Sequence, residues 1–263
     1  MKLTKDDYIN IYSKYNYILD TLYYCNGALY LKDFYKYSKK SRAQTCKDVI
    51  ELANLGIIKS DIIQGSKIIS LKRKTYRNLY DTDNKKVSRD ESKLKENKLK
   101  ACVYHNFDIS KNEEIKKYLY ENFFDLKSIN NMFKEKYKSI FDIFDNDMLK
   151  FHYMNENRYK VVITTYKLDT EATKDILKIL ESIYHLFYMI DLDKTFKCEI
   201  TLVTAFKLSE QNKKHLLNKV LRHKPKINYV SKQRTFRPIF AKNFHKKIIF
   251  KSTQELELST SKV

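Results

Sequence analysis

The chain of 263 residues has no tryptophan, two prolines and three glycines. Three glycines cannot build a Gly-rich phosphate loop of the GxxxxGK[ST] or GxGxxG kind, and neither pattern occurs. The four cysteines, Cys25, Cys46, Cys102 and Cys198, stand far apart without CxxC or Cys/His ligand spacing. Disulfides and a zinc site are therefore not expected, and reduced core thiols are. The six histidines form no HxH or HExxH, so no histidine metal cluster is visible. No run approaches the roughly 20 apolar residues that span a bilayer. Met1 to Asp7 is charged and no apolar run follows, so no signal peptide is expected and the expected compartment is the bacterial cytoplasm.

Chemistry is equally sparse. A metal nuclease needs clustered carboxylates with a lysine at strand ends. Glu199-Ile200-Thr201 lacks a lysine two positions on, and Asp169 and Glu171 gain no evident partner. Asp142, Asp145 and Asp147 read as a solvated helix end. Among 21 tyrosines no nucleophile stands out. No catalytic residue, metal ligand or cofactor is assigned, and the chain reads as a binding protein and not an enzyme.

What is present is organised around Asn26 to Lys74, because all three glycines, Gly27, Gly56 and Gly65, fall there. Glycine turns the chain through positive φ without steric cost. Gly27 follows a helical pattern from Tyr8 to Cys25, with Thr4 as its N-cap and Asp6 and Asp7 in its first turn. A short helix is expected over Leu31–Tyr37, and a second over Arg42–Leu55 with Ser41 as N-cap and Gly56 at its end. Cys46, Val49, Ile50 and Ala53 repeat at i, i+3, i+4, i+7 and predict its buried face. Gly65 lies between two β-branched runs, Ile57–Ile63 and Lys67–Leu71, and predicts a hairpin. This order of elements is that of a winged helix-turn-helix, with the helix from Arg42 as recognition helix.

The formal charge is +20. The abundance of Lys, Asn, Ile and Tyr fits the coding bias of an AT-rich genome, yet bias alone would not partition the charge. Counting along the sequence, residues 1–80 hold 15 Lys/Arg against 7 Asp/Glu, residues 81–155 hold 15 against 14, and residues 156–263 hold 22 against 11. The excess sits at the two ends, and such a field attracts polyanions, nucleic acid first. Between Gln211 and Gln254 there is no Asp or Glu and there are 13 Lys/Arg. That run predicts a second phosphate-binding face on Lys213, Lys214, Arg222, Lys224, Lys226, Lys232, Arg234, Arg237, Lys246 and Lys247. An acidic protein partner is the rival explanation.

The fold class expected is α+β: a winged helix-turn-helix over residues 1–80, a charged linker and helical connector over 81–155, a basic α/β domain over 156–251 and a flexible tail over 252–263. Asp81–Lys100 is charged and poor in large apolar residues, and Leu99–Lys150 is helical in pattern. Beyond Arg158, strands are expected at Tyr159–Tyr166, Phe196–Phe206, Ile227–Val230 and within Phe236–Phe250. Helices are expected at Asp169–Ile190 and from Ser209 to Leu221.

The frame of Ser41, Leu52, Leu55, Gly56, Ile57, Ile58, Gly65 and Leu71, the histidine-bearing link around His105, and the segment from Leu168 to Tyr184 after a strand resemble the replication-relaxation family of mobile-element proteins. The resemblance implies an N-terminal winged helix and a C-terminal α/β domain like a degenerate nuclease fold. It also implies a DNA-binding role in plasmid replication, mobilisation or control. The acidic residues usual in the strand before that segment are replaced here by Thr164, Thr165 and Tyr166, which counts against nuclease chemistry.

These observations predict a sequence-specific binder of double-stranded DNA from a plasmid, phage or integrative element, acting in replication, mobilisation or transcription control. Arg42, Gln44, Thr45 and Lys47 are the expected base contacts; Lys39, Lys40, Lys67, Lys72, Arg73 and Lys74 are the expected phosphate contacts. Alternatives are a replication initiator with a second DNA-binding unit, a metal-dependent nuclease or relaxase, and a module for an acidic protein. A homodimer on paired half-sites is a further expectation, and no membrane partner is expected.

Overall fold

A computed structural model of the chain describes residues 3–38, 40–80, 87, 90–124, 146–155, 158–190, 196–222 and 248–260. The protein is of mixed α+β class and divides into two compact units, Met1–Asn106 with Ser259–Val263, and Phe107–Leu258.

The first unit opens with α1 (Lys5–Tyr24). Thr4 Oγ1 accepts from the Asp7 N–H while the Asp7 carboxylate accepts from the Thr4 N–H at 2.7 Å, a reciprocal cap. The helix ends where Asn26 and Gly27 both take positive φ, and the Gly27 N–H returns to the Leu22 carbonyl at 2.6 Å. A three-residue strand, β1 (Ala28–Tyr30), follows, and then α2 (Leu31–Tyr37) and α3 (Arg42–Asn54). Ser41 caps α3 through its hydroxyl, which accepts from the Gln44 N–H. Gly56 closes the helix at φ +73, with Gly56 and Ile57 N–H groups returning to Ala53 and Leu52 carbonyls. Strands β2 (Ile58–Ile63) and β3 (Ser66–Leu71) form the hairpin expected at Gly65, where Gln64 and Gly65 both have positive φ, as a two-residue I′ turn requires. The sheet is antiparallel in the order β1-β3-β2, so β3 is central and its Ile68 and Ile69 are buried. β1 was not expected from the sequence; three residues are too short for a periodic signal.

After α4 (Arg73–Tyr80), α5 (Glu91–Asn106) also packs into this unit. Leu94 lies in one cluster with Ala28 and Ile68, and Asn97 donates its amide to the Ala28 carbonyl at 2.7 Å. The first unit therefore reaches Asn106, beyond the expected boundary at residue 80. Leu94 and Leu99, both buried, carry the packing face of a segment that reads as mostly charged.

The second unit contains α6 (Asn112–Phe124), β4 (Leu149–Asn155), β5 (Arg158–Thr165), α7 (Thr170–Ile190), β6 (Phe196–Thr204), α8 (Glu210–Arg222), β7 (Ile248–Ser252) and the start of α9 (Thr253–Thr260). The sheet order is β4-β5-β6-β7; β4 and β5 are antiparallel, and β5, β6 and β7 are parallel. Val161, Val162 and Ile163, and Ile200, Leu202 and Val203, are buried on both faces, as the continuous apolar runs of parallel strands require. Leu149–Lys150, expected at the end of a helix, open a strand. The alternation of Leu149 and Phe151 on one face overrides the helical spacing seen upstream. The tail, expected to fray from Ser252, forms α9 instead: Ser252 caps it by accepting from the Glu255 N–H, and Leu256 is buried. The strand expected at Ile227–Val230, residues 236–247 of the last expected strand and the apolar stripe from Ile129 to Phe144 lie outside the described residues.

Gly27 is the tightest of the three glycine positions. A Cβ there would meet Tyr76 Oη at 1.9 Å, and φ is +82. Gly65 has φ +72 and open space. We therefore expect Gly27→Ala to cost about 2–4 kcal/mol in urea unfolding, and Gly65→Ala only about 1–2 kcal/mol. Tyr76 Oη is buried without a hydrogen-bond partner among the described residues. Tyr76→Phe should thus be neutral or stabilising alone and relieve part of the Gly27→Ala defect.

Candidate nucleic-acid interface

The face that α3 buries is one residue out of phase with the expected one. Thr45, Asp48, Val49 and Leu52 point inward, while Ile50 is 54% exposed and Cys46 and Ala53 are half-buried. The i, i+3, i+4, i+7 rule fits both sets, and the expected one lost because it left Leu52 outside. A ridge of Ala43, Lys47, Ile50 and Asn54 consequently faces outward.

Asp48 sets this rotation. Only 3% of it is exposed, and its carboxylate accepts from Tyr17 Oη at 2.8 Å, Lys40 Nζ at 3.1 Å and Gln44 Nε2 at 2.7 Å. Burial raises the carboxyl's pKa, but the three donors and the lysine charge outweigh it and hold it below the usual carboxylate range. Burial, and then the bond to Asp48, push the Tyr17 phenol well up. Lys40 Nζ also sits 4.5 Å from the centre of the Tyr17 ring.

This arrangement revises the expected contacts. Thr45 is fully buried, and its hydroxyl donates to the Ser41 carbonyl and meets Ser38 Oγ, so it cannot reach a base. Gln44 is exposed, but one of its two amide N–H groups is committed to Asp48. Lys40 is exposed, but its charge is compensated by Asp48. Lys39 lies outside the described residues. Arg42 is exposed and stacks 5.0 Å over the Tyr35 ring, which aims it off the start of α3. Lys47 is exposed on the outward ridge; Lys67 on β3 and Lys72, Arg73 and Lys74 after the hairpin are exposed too. Among the described residues none of these last five has an ion-pair partner. The single carboxylate on the outer side of α3, Glu51, is engaged by Lys14 at 2.9 Å. Sequence reasoning missed Asp48 and Tyr17; the available signal was a carboxylate in phase with Val49 and Leu52, a place that demands donors.

The expected second basic face is described only in part. Lys213 pairs with Glu210 at 2.8 Å and Lys214 is exposed. The side chain of Arg222, and Lys224, Lys226, Lys232, Arg234, Arg237, Lys246 and Lys247, lie outside the described residues. Glu199, which has Thr201 and not a lysine two positions on, receives Lys160 from β5 at 2.7 Å. On β4, His152 Nδ1 accepts the Asp108 N–H at 2.8 Å, and burial lowers its pKa, which favours the neutral ring. Among the described residues no three His, Cys, Asp or Glu side chains could hold a metal ion, and no helix is long and apolar enough to cross a membrane.

Comparison with protein families, with curated proteins and with solved structures finds no match to the chain.

Asp48 favours folding in its ionised form. Its depressed pKa gives stability that is complete above the unfolded carboxyl's value near 3.9 and is lost as pH falls through the lower folded value. Asp48→Asn should cost about 2 kcal/mol at pH 7. The gap between wild type and variant in chemical denaturation should close below about pH 4.

Proposed function

We propose that the first unit is a winged helix-turn-helix that binds double-stranded DNA in a sequence-dependent way. We propose further that the protein acts by binding, without catalysis, in the replication, mobilisation or transcription control of a mobile element. The observation that carries this reading is the exposed ridge of α3 with unpaired cations on and beside it: Arg42, Lys47, Lys67, Lys72, Arg73 and Lys74. The order α1-β1-α2-α3-β2-β3 with β3 central supports it, since it offers one helix to the major groove and a hairpin beside it. In this reading Arg42 and Lys47 meet base edges, and Gln44 contributes through its side-chain carbonyl and its second amide N–H. Lys67, Lys72, Arg73 and Lys74 hold phosphates. The resemblance to the replication-relaxation family points to the same role.

A second reading, a replication initiator whose second unit also holds DNA, is favoured by the absence of Asp and Glu between Gln211 and Gln254. It requires a footprint longer than one winged helix covers.

Fluorescence anisotropy on duplexes across a salt series tests the proposal. Wild-type affinity should fall steeply with salt and differ between a selected site and a scrambled duplex. Lys72→Ala should weaken binding to every duplex and lower the salt slope by about one, whereas Arg42→Ala should mainly narrow the difference between the two duplexes. Wild-type behaviour in both variants would overturn the assignment of α3.

A further inference from the structure

Ile50 is an apolar side chain in the middle of the ridge that α3 turns outward, and it is 54% exposed. The other two large aliphatic side chains of this helix, Val49 and Leu52, are fully inside. A helix held by Asp48, Val49 and Leu52 gains less in its own fold from an isoleucine at position 50 than from those three. The side chain is flanked on the ridge by Lys47 one turn before and Asn54 one turn after, with Ala43 beyond Lys47. Glu51, the neighbouring carboxylate, is occupied by Lys14. The surface around Ile50 is thus an apolar centre, one unpaired cation and one amide, with no free anion.

Base edges in the major groove differ in what they ask of such a surface. Cytosine presents an amino donor that calls for a carboxylate, which the ridge does not offer. Guanine presents two acceptors, which Lys47 or Arg42 can meet. Thymine alone presents a methyl group, and an aliphatic side chain is its complement. We infer that Ile50 reads the C5-methyl groups of thymine, so that the central part of the bound site is thymine-containing. This inference rests on the reading of α3 as the helix that enters the major groove. The surrounding cations fit a duplex and would oppose docking of a basic or neutral protein surface through Ile50.

The test uses the full-length chain and a duplex selected by the wild-type protein from a randomised pool. The same duplex is then made with deoxyuridine in place of thymidine, which removes only the methyl groups. Wild type should bind the uracil duplex about fourfold more weakly for each methyl group that Ile50 buries, the factor expected for burying one such group. The salt slope should not change, because no charge has changed. Ile50→Ala should bind the thymine duplex as weakly as wild type binds the uracil duplex, and should not distinguish the two. An unchanged thermal midpoint for Ile50→Ala, expected for so exposed a position, shows that the effect is not misfolding. Equal affinity of wild type for both duplexes overturns the inference and leaves DNA binding standing. Failure to select any duplex overturns both, and an Ile50→Ala change in oligomeric state without a thymine effect reassigns Ile50 to a protein contact.

Discussion

One buried carboxylate decides how the first unit presents itself. Taking a carboxylate out of water is costly unless donors replace the water. For Asp48 the donors come from three places: Tyr17 on α1, Lys40 in the turn before α3, and Gln44 one turn back on α3 itself. Gln44 turns with the helix, but α3 cannot turn about its axis without breaking the bonds from Tyr17 and Lys40. With Asp48 inward, Thr45 and Leu52 follow it in, and Lys47 and Ile50 are carried out. The outward ridge is therefore a consequence of a polar requirement as much as of hydrophobic periodicity.

The same bonds show why net charge is a poor guide to a binding face. Among the cations of the first unit, Lys14 is engaged by Glu51, Lys40 by Asp48, and Lys59 by Asp61 at 3.0 Å. At physiological salt such close pairs cancel over distances beyond about 8 Å, so they add little to a long-range field. Lys47, Lys67, Lys72, Arg73 and Lys74, on the outward side of α3 and around the hairpin, have no such partner among the described residues. They form a smaller set than the sequence count implied, and a better localised one.

The turns were the most legible part of the chain. Gly27, Gly56 and Gly65 each stand at positive φ where a helix or hairpin has to turn, a steric demand that leaves few alternatives. The caps at Thr4 and Ser41 were legible for the same reason, since helix ends require acceptors. The phase of α3 was not legible, because two residue sets satisfy one spacing rule, and the correct one includes a charged residue that hydropathy places outside. The extent of the first unit was hidden by the lysines and glutamates of α5, whose few leucines suffice to pack against β1. β4 was hidden because an edge strand of alternating Leu, Lys, Phe and His carries a weaker signal than the helical stretch before it.

That edge strand also limits how the second unit can assemble. An exposed strand edge offers unpaired N–H and C=O groups to another chain. Along β4 the N–H groups that face away from β5 are already taken. Leu149 donates to the Asn146 carbonyl at 3.0 Å and Tyr153 to the Asp108 carbonyl at 2.8 Å. Phe151 donates to the buried Asn112 side chain at 2.9 Å. His152 fixes the same Asp108 turn from the other side, so the cover is held at both its backbone groups. A dimer formed by adding a strand to β4 would have to break these bonds before making its own. A homodimer that used this face of the second unit would therefore need a side-chain surface and not a strand added to β4.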